Sequence, residues 1–242
     1  MIRFENVHKS FGTKSVLKGL TLSIEKGETF FILGRSGTGK SVSLKHLVGL
    51  LSPDSGRIWV EGEEISNYKE KDFVHIRKKC GLVFQLPALV DSRSLFENLV
   101  MGIRHLEAEQ KHERISSTLE AVGLGSLASV LFERYPPSLS YGEQKRLALA
   151  RTLLPDPEIL LYDEPTTGLD PATSVQIHEL IQKISREFGK TSIVVSHDMR
   201  NALATADRLA VLDSGRVVDI GTPEEIRASQ VIMTMAFLED LR

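Results

Sequence analysis

Cysteine is nearly absent: Cys80 is the one thiol in 242 residues, so no intramolecular disulfide can staple the fold. No apolar run approaches the roughly 18 residues that a membrane-spanning helix requires. The opening Met-Ile-Arg-Phe-Glu-Asn has no basic stretch followed by an apolar core, so no leader peptide is expected and a cytoplasmic protein is. An excess of charge of one sign is also missing. Thirty Lys and Arg against 32 Asp and Glu leave a formal net charge of -2, which gives no bulk attraction for nucleic acid or anionic lipid, and no nucleic-acid partner is expected. The chain shows no internal repeat and no low-complexity stretch, which excludes a solenoid. A 41% hydrophobic and 26% charged composition fits an ordinary globular chain, and at this length about 70–75% of the unfolded surface can be buried. Cys80 lies in the apolar run Cys-Gly-Leu-Val-Phe and reads as a core strand residue rather than a nucleophile.

The pattern along the chain is mixed. Residues 1–7, 20–24, 29–33 and 57–60 are short apolar segments between turn signals and read as strands. The spacing of Val42, Leu44, Leu47 and Val48 predicts a helix over 41–51, stopped near Pro53 and Gly56. From 87 to 156 the period is helical, clearest over 95–106, 108–122 and 141–154. Strands return at 158–162 and 191–195, separated by a helix over 172–188, as in a parallel α/β sheet. Segments 208–212 and 217–220 flank the turn Ser214-Gly215 and read as two more strands. Gln85 and His197 each follow a predicted strand, and by themselves would be solvated strand ends. His46 and His178, on predicted helices, read as surface or boundary residues.

Two motifs carry chemistry. Gly34-Arg35-Ser36-Gly37-Thr38-Gly39-Lys40-Ser41 follows a predicted strand and opens a predicted helix, the setting in which G-x-x-x-x-G-K-[ST] binds phosphate. Glycines allow the backbone N–H groups to turn inward, the helix start adds partial positive charge, Lys40 reaches the β and γ phosphates, and Ser41 can ligate magnesium. Further on, Ile159-Leu160-Leu161-Tyr162-Asp163-Glu164 ends an apolar strand in two carboxylates. Alone, an Asp-Glu-Pro run after a strand merely caps a turn. Joined to a phosphate loop, Asp163 becomes the candidate metal ligand and Glu164 the candidate general base for a water.

Between these motifs, Leu139-Ser140-Tyr141-Gly142-Glu143-Gln144 resembles the signature of the ABC transporter ATPases, with Tyr141 where that pattern prefers glycine and Glu143 in place of glutamine. The resemblance covers nearly the whole chain and implies an α/β P-loop NTPase of the ABC-ATPase fold. It would have a RecA-like core over 1–86 and 157–222, an antiparallel β part at its N-terminus, an inserted α-helical subdomain over 87–156, a helical tail over 223–242, and all of this in one domain. ATP and Mg2+ are the implied cofactors. Phe11 resembles the aromatic that stacks on adenine. Val16, residues Gly34 to Val42 and Gln85 are implied nucleotide contacts, and Ser41, Gln85 and Asp163 implied metal ligands. Gly168-Leu169-Asp170 resembles the D-loop, and Glu164 and His197 are the implied catalytic pair. In that family each ATP lies between the phosphate loop of one subunit and the signature of another, so Ser140, Gly142 and Glu143 are implied to act on a second copy's nucleotide. Ser140 and Glu143 also stand at capping-box spacing.

Three stretches, 39–51, 84–92 and 166–174, resemble the Mla-type ATPases of lipid transporters. That likeness implies membrane permease subunits and an MCE-type partner, a lipid cargo, and a peripheral place on the inner face of the cell membrane. An ATP-driven switch that signals without moving solute, or an importer of another substrate, are the alternatives. Leu86, Leu89 and Val90 fall where the family receives a permease helix, or form a packed loop. In the tail, Val231, Met235, Phe237, Leu238 and Leu241 form a helical apolar set expected to cover the chain's own core.

Overall fold

The computed structural model describes residues 2–239. Strands β1 (Ile2–Phe11) and β2 (Lys14–Ile24) form a hairpin. Strand β3 (Thr29–Leu33) leads into helix α1 (Lys40–Leu47), followed by β4 (Ser55–Val60), the two-residue β5 (Glu63–Glu64), α2 (Phe73–Lys79) and β6 (Cys80–Val83). Helices α3 (Leu95–Leu99), α4 (Ala108–Ala121) and α5 (Tyr141–Leu153) fill the stretch before β7 (Ile159–Asp163). Then come α6 (Pro171–Phe188), β8 (Thr191–Ser196), α7 (Met199–Thr205), β9 (Arg208–Asp213), β10 (Arg216–Gly221), α8 (Pro223–Arg227) and α9 (Ile232–Glu239). The antiparallel sheet runs β2-β1-β4-β5. The central sheet runs β10-β9-β3-β8-β7-β6, parallel except for β10 at one edge.

Alternation along the central strands decides the layering. Phe30, Ile32, Leu161, Ile193 and Val195 face one core, shared with Phe4, Leu17 and Leu20 of the antiparallel sheet and Leu44 of α1. Their neighbours Phe31, Leu33, Leu160, Tyr162 and Val194 face the other, shared with Leu99 of α3, Leu147 of α5 and Ile181 of α6. A sheet apolar on both faces is what a parallel sheet covered on both sides demands. Each such side chain contributes about 1.5–3 kcal/mol on burial.

Several boundaries differ from the sequence reading. Helix α1 ends at Leu47 instead of continuing to 51, because Gly49 turns left-handed (φ 69°) beneath the Phe73 ring, where a Cβ would lie 2.4 Å from ring carbons. The helix expected over 95–106 stops at Leu99 and tightens to a 3-10 turn over Val100–Gly102, with Gly102 pressed on Pro155. Helix α2 was not read from the sequence, its seven residues being too few to display a period. His46 and His178 are not surface residues but are each 1% exposed. Each sits on the inward face of its helix with Nδ1 on the carbonyl one turn back, Val42 or Ser174, and His178 stacks on Phe31. Cys80 opens β6, and burial pushes its thiol up to about 12, so it is no nucleophile. In the tail, Phe237 joins the core and Leu238 packs on it, while Met235 is exposed; Leu241 lies outside the described residues.

Candidate active site

Strands β3, β8, β7 and β6 lie side by side, with Leu33 opposite Ser196, Asp163 opposite Val195, and Val83 opposite Tyr162. Whatever follows each strand therefore reaches one edge of the sheet, where open α/β sheets bind ligands. A cleft of about 860 Å3 runs along that edge. One wall is the phosphate loop and the start of α1, with Arg35, Ser36, Gly37, Gly39, Lys40, Ser41 and Val42. Val16 approaches from β2, and Gln85, Glu164 and His197 from the ends of β6, β7 and β8.

The loop is shaped by main-chain contacts. Gly37 and Gly39 are left-handed, at φ 81° and 108°, and a Cβ on Gly39 would lie 2.6 Å from Leu17 Cδ2. No side chain caps α1, so its first N–H groups are available to an anion. Gly34 and Thr38 lie behind the wall: the Thr38 hydroxyl donates to the Arg35 carbonyl at 2.9 Å, and Gly34 presses on the Leu212 carbonyl.

Lys40 is 5% exposed and donates to the carbonyls of Gly34 (2.8 Å) and Arg35 (3.2 Å). It also pairs with Glu164 Oε1 at 3.2 Å, while His197 Nδ1 bonds Glu164 Oε2 at 2.8 Å. The Glu164 carboxylate is thus held through both oxygens, and its backbone is held left-handed (φ 49°) by its N–H bond to the Val195 carbonyl. Ser41 Oγ donates to Asp163 Oδ1 at 2.6 Å, which joins the phosphate loop to the acid pair. Hydroxyl and carboxylate oxygens beside a phosphate cradle suit Mg2+, a hard cation usually held by one or two protein oxygens and by substrate phosphates.

Phe11 is not on the cleft wall. The hairpin turns at Gly12 and pairs Phe11 with Lys14, and it is Lys14 that reaches the cleft, leaving Phe11 46% exposed under the Lys9 ammonium. Ser140, Gly142 and Glu143 also lie outside the cleft, at the head of α5. There Ser140 Oγ accepts from the Glu143 N–H (3.3 Å) and Glu143 Oε2 accepts from the Ser140 N–H (2.8 Å), the capping box its spacing predicts. The Ser140 hydroxyl bond holds the Glu143 carboxyl below the usual range. Sequence reasoning missed Thr167, Asp198, Met199 and Phe237 on the cleft wall. Thr167 and Asp198 stand three residues and one residue beyond Glu164 and His197, a signal that could have found them. Phe237 reads only as a helix apolar position, and Met199 lies on a seven-residue helix that the sequence reading did not include.

A sheet edge bearing a glycine loop with a buried lysine, a hydroxyl bonded to a carboxylate and a held glutamate defines a P-loop nucleoside triphosphatase. Residues 17–167 match the family model described as ABC transporter. The methionine import ATP-binding protein MetN of Carboxydothermus hydrogenoformans is 39% identical over 231 residues, covering 93% of this chain and 67% of that protein. Its counterpart from Mesorhizobium japonicum is 37% identical, over 91% of this chain and 60% of that protein. The chain thus spans about 60–67% of the length of these curated relatives. Among solved structures, cbiO1 of Clostridium perfringens, part of an ABC transporter complex, superposes with a TM-score of 0.85 at 30% identity, over 98% of this chain and 94% of that one. An ATP-binding cassette solved as a dimer in a post-hydrolysis state with ADP and Pi gives 0.81 at 31% identity, over 92% and 99%. This chain belongs to the ABC transporter family, as an ATP-binding and ATP-hydrolysing domain that uses ATP with Mg2+.

Proposed function

We propose that this chain works as a dimer that closes on two Mg-ATP molecules and, through separate membrane subunits, drives transport. The observation that carries this reading is the meeting of Lys40, Ser41–Asp163 and Glu164–His197 at one edge while the Ser140 helix head lies outside that cleft. Lys40 and the α1 N-terminus bind phosphate, and Ser41, Asp163 and Gln85 would hold Mg2+, which when bound neutralises phosphate charge. Glu164, oriented by His197, takes the proton of the attacking water, and Ser140 with Gly142 and Glu143 closes the second copy's cleft. The Glu164→Gln variant should bind Mg-ATP with nearly unchanged affinity by calorimetry, while steady-state turnover falls about 10²–10⁴-fold. Undiminished turnover in that variant would remove Glu164 from the chemistry.

For cargo, the relatives named for methionine import favour an amino acid or similar polar solute taken up through permease subunits. A second reading, lipid transport with an MCE-type partner, rests on the three stretches that resemble Mla-type ATPases. In both, the chain sits peripherally on the inner face of the cell membrane, held by partners; among the described residues no helix is long and apolar enough to cross it. Copurified membrane subunits in vesicles separate the two: methionine flux that depends on ATP supports import, and ATP-dependent phospholipid movement with no amino-acid flux supports the lipid reading.

A further inference from the structure

Helix α5 carries a lysine in an unusual place. Lys145 is 3% exposed, yet among the described residues no carboxylate lies within ion-pair distance of it. Folding around an ammonium without a counter-charge is costly, and a methionine of similar length would fill the space without that cost. What the ammonium does have is the main-chain carbonyl of Gln85, to which it donates a hydrogen bond, and the face of Tyr141, whose ring centroid lies 5.5 Å away. Tyr141 in turn packs on Gly168, where an added Cβ would lie 3.1 Å from the ring. Further along the same helix, Arg151 donates to the carbonyls of Ala88 (2.8 Å) and Pro87 (3.3 Å). Two cations of α5 therefore hold the backbone of the 85–88 segment, while the Gln85 residue itself lines the nucleotide cleft, which Lys145 does not touch.

We propose that Lys145 is a positioning residue for ATP hydrolysis: by holding the Gln85 main chain and the Tyr141 ring together, it fixes where Gln85 enters the cleft relative to the signature helix and the Gly168 loop. Such a link explains how this chain accommodates Tyr141 at a signature position where glycine is preferred. The ring is turned back onto its own subunit's Gly168 and beneath Lys145. The inference rests on the proposed roles of Gln85 and Ser140 in hydrolysis.

The test compares Lys145→Met and Lys145→Arg in the 242-residue chain. Lys145→Met retains the buried volume and removes the donor; Lys145→Arg retains the charge and donors. In Lys145→Met, kcat should fall about tenfold with the KM for ATP within twofold of wild type and an unchanged or higher melting temperature. In the protein without nucleotide, amide hydrogen exchange over residues 84–90 should rise at least tenfold. Lys145→Arg should restore at least half of the lost kcat and the exchange protection. Wild-type kcat and wild-type exchange in Lys145→Met would overturn the proposal, as would a kcat loss that Lys145→Arg does not rescue. Failure of the wider reading looks different: there Glu164→Gln would hydrolyse ATP normally, whatever Lys145→Met does.

Discussion

Glu164 shows how a single residue can be strained and still well placed. A glutamate in left-handed backbone costs about 1–2 kcal/mol. That cost is offset here by the Val195 carbonyl bond, the Lys40 pair and the His197 bond, which together aim the carboxylate into the cleft. Its identity as the acid after an apolar strand was legible in the sequence, and the family resemblance paired it with His197, but the contacts that hold each carboxylate oxygen, from His197 after β8 and Lys40 of α1, were not. The buried histidines were misread for a related reason: a lone His on a helix does not by itself declare which face points inward. Burial, more than the opposing carbonyl bonds to Val42 and Ser174, holds both His46 and His178 below the ordinary imidazole value, and among the described residues neither Nε2 has a partner. The folded state therefore takes up these protons less readily than the unfolded chain. Stability is complete above the unfolded value of about 6.5 and declines as pH falls below it. Urea midpoints should drop between pH 7.5 and 5.5, and the drop should shrink in a His46→Gln, His178→Gln double variant.

At the scale of elements, the long periodic pieces were readable and the short ones were not. Helices α4, α5 and α6 and strands β3, β7 and β8 fall within two residues of their expected places, because an apolar stripe or an unbroken apolar run fixes them. Helix α1 was overextended because its apolar face continues past a glycine whose turn is imposed by Phe73, a contact from α2. Helix α9 was read as a cover for the chain's own core. Phe237 fulfils that role at 9% exposure and also forms part of the cleft wall. Truncation to Phe237→Ala should cost about 3 kcal/mol, seen as a lower denaturation midpoint with the overall helical signal by circular dichroism nearly unchanged before the transition.

At the scale of the whole molecule, the proposed dimer is what would bring a signature helix head to the phosphate loop. The signature helix head, with Ser140 exposed, lies outside the subunit's own cleft, so the site gains its signature contacts only from a second chain in the proposed dimer. Sedimentation should therefore detect dimers of Glu164→Gln in Mg-ATP but monomers in Mg-ADP. Adding Ser140→Arg to that variant should return it to monomers by crowding the facing phosphate site, while leaving the fold unchanged.

The order of chemistry along the chain is local information. A phosphate loop between strand and helix, a signature at capping-box spacing, and an acid pair closing an apolar strand are each written within about ten consecutive residues, and each demands particular side chains for steric or electrostatic reasons. Which residues of different segments touch is not local. That Ser41 meets Asp163 across 122 positions, that Lys14 rather than Phe11 reaches the cleft, and that Lys145 rests on Gln85 follow from how the two sheets are paired, parallel in one and antiparallel in the other, and from two-faced core packing. Those contacts exist only once the sheet is assembled, because their distances are set by the packing of layers and not by separation along the chain.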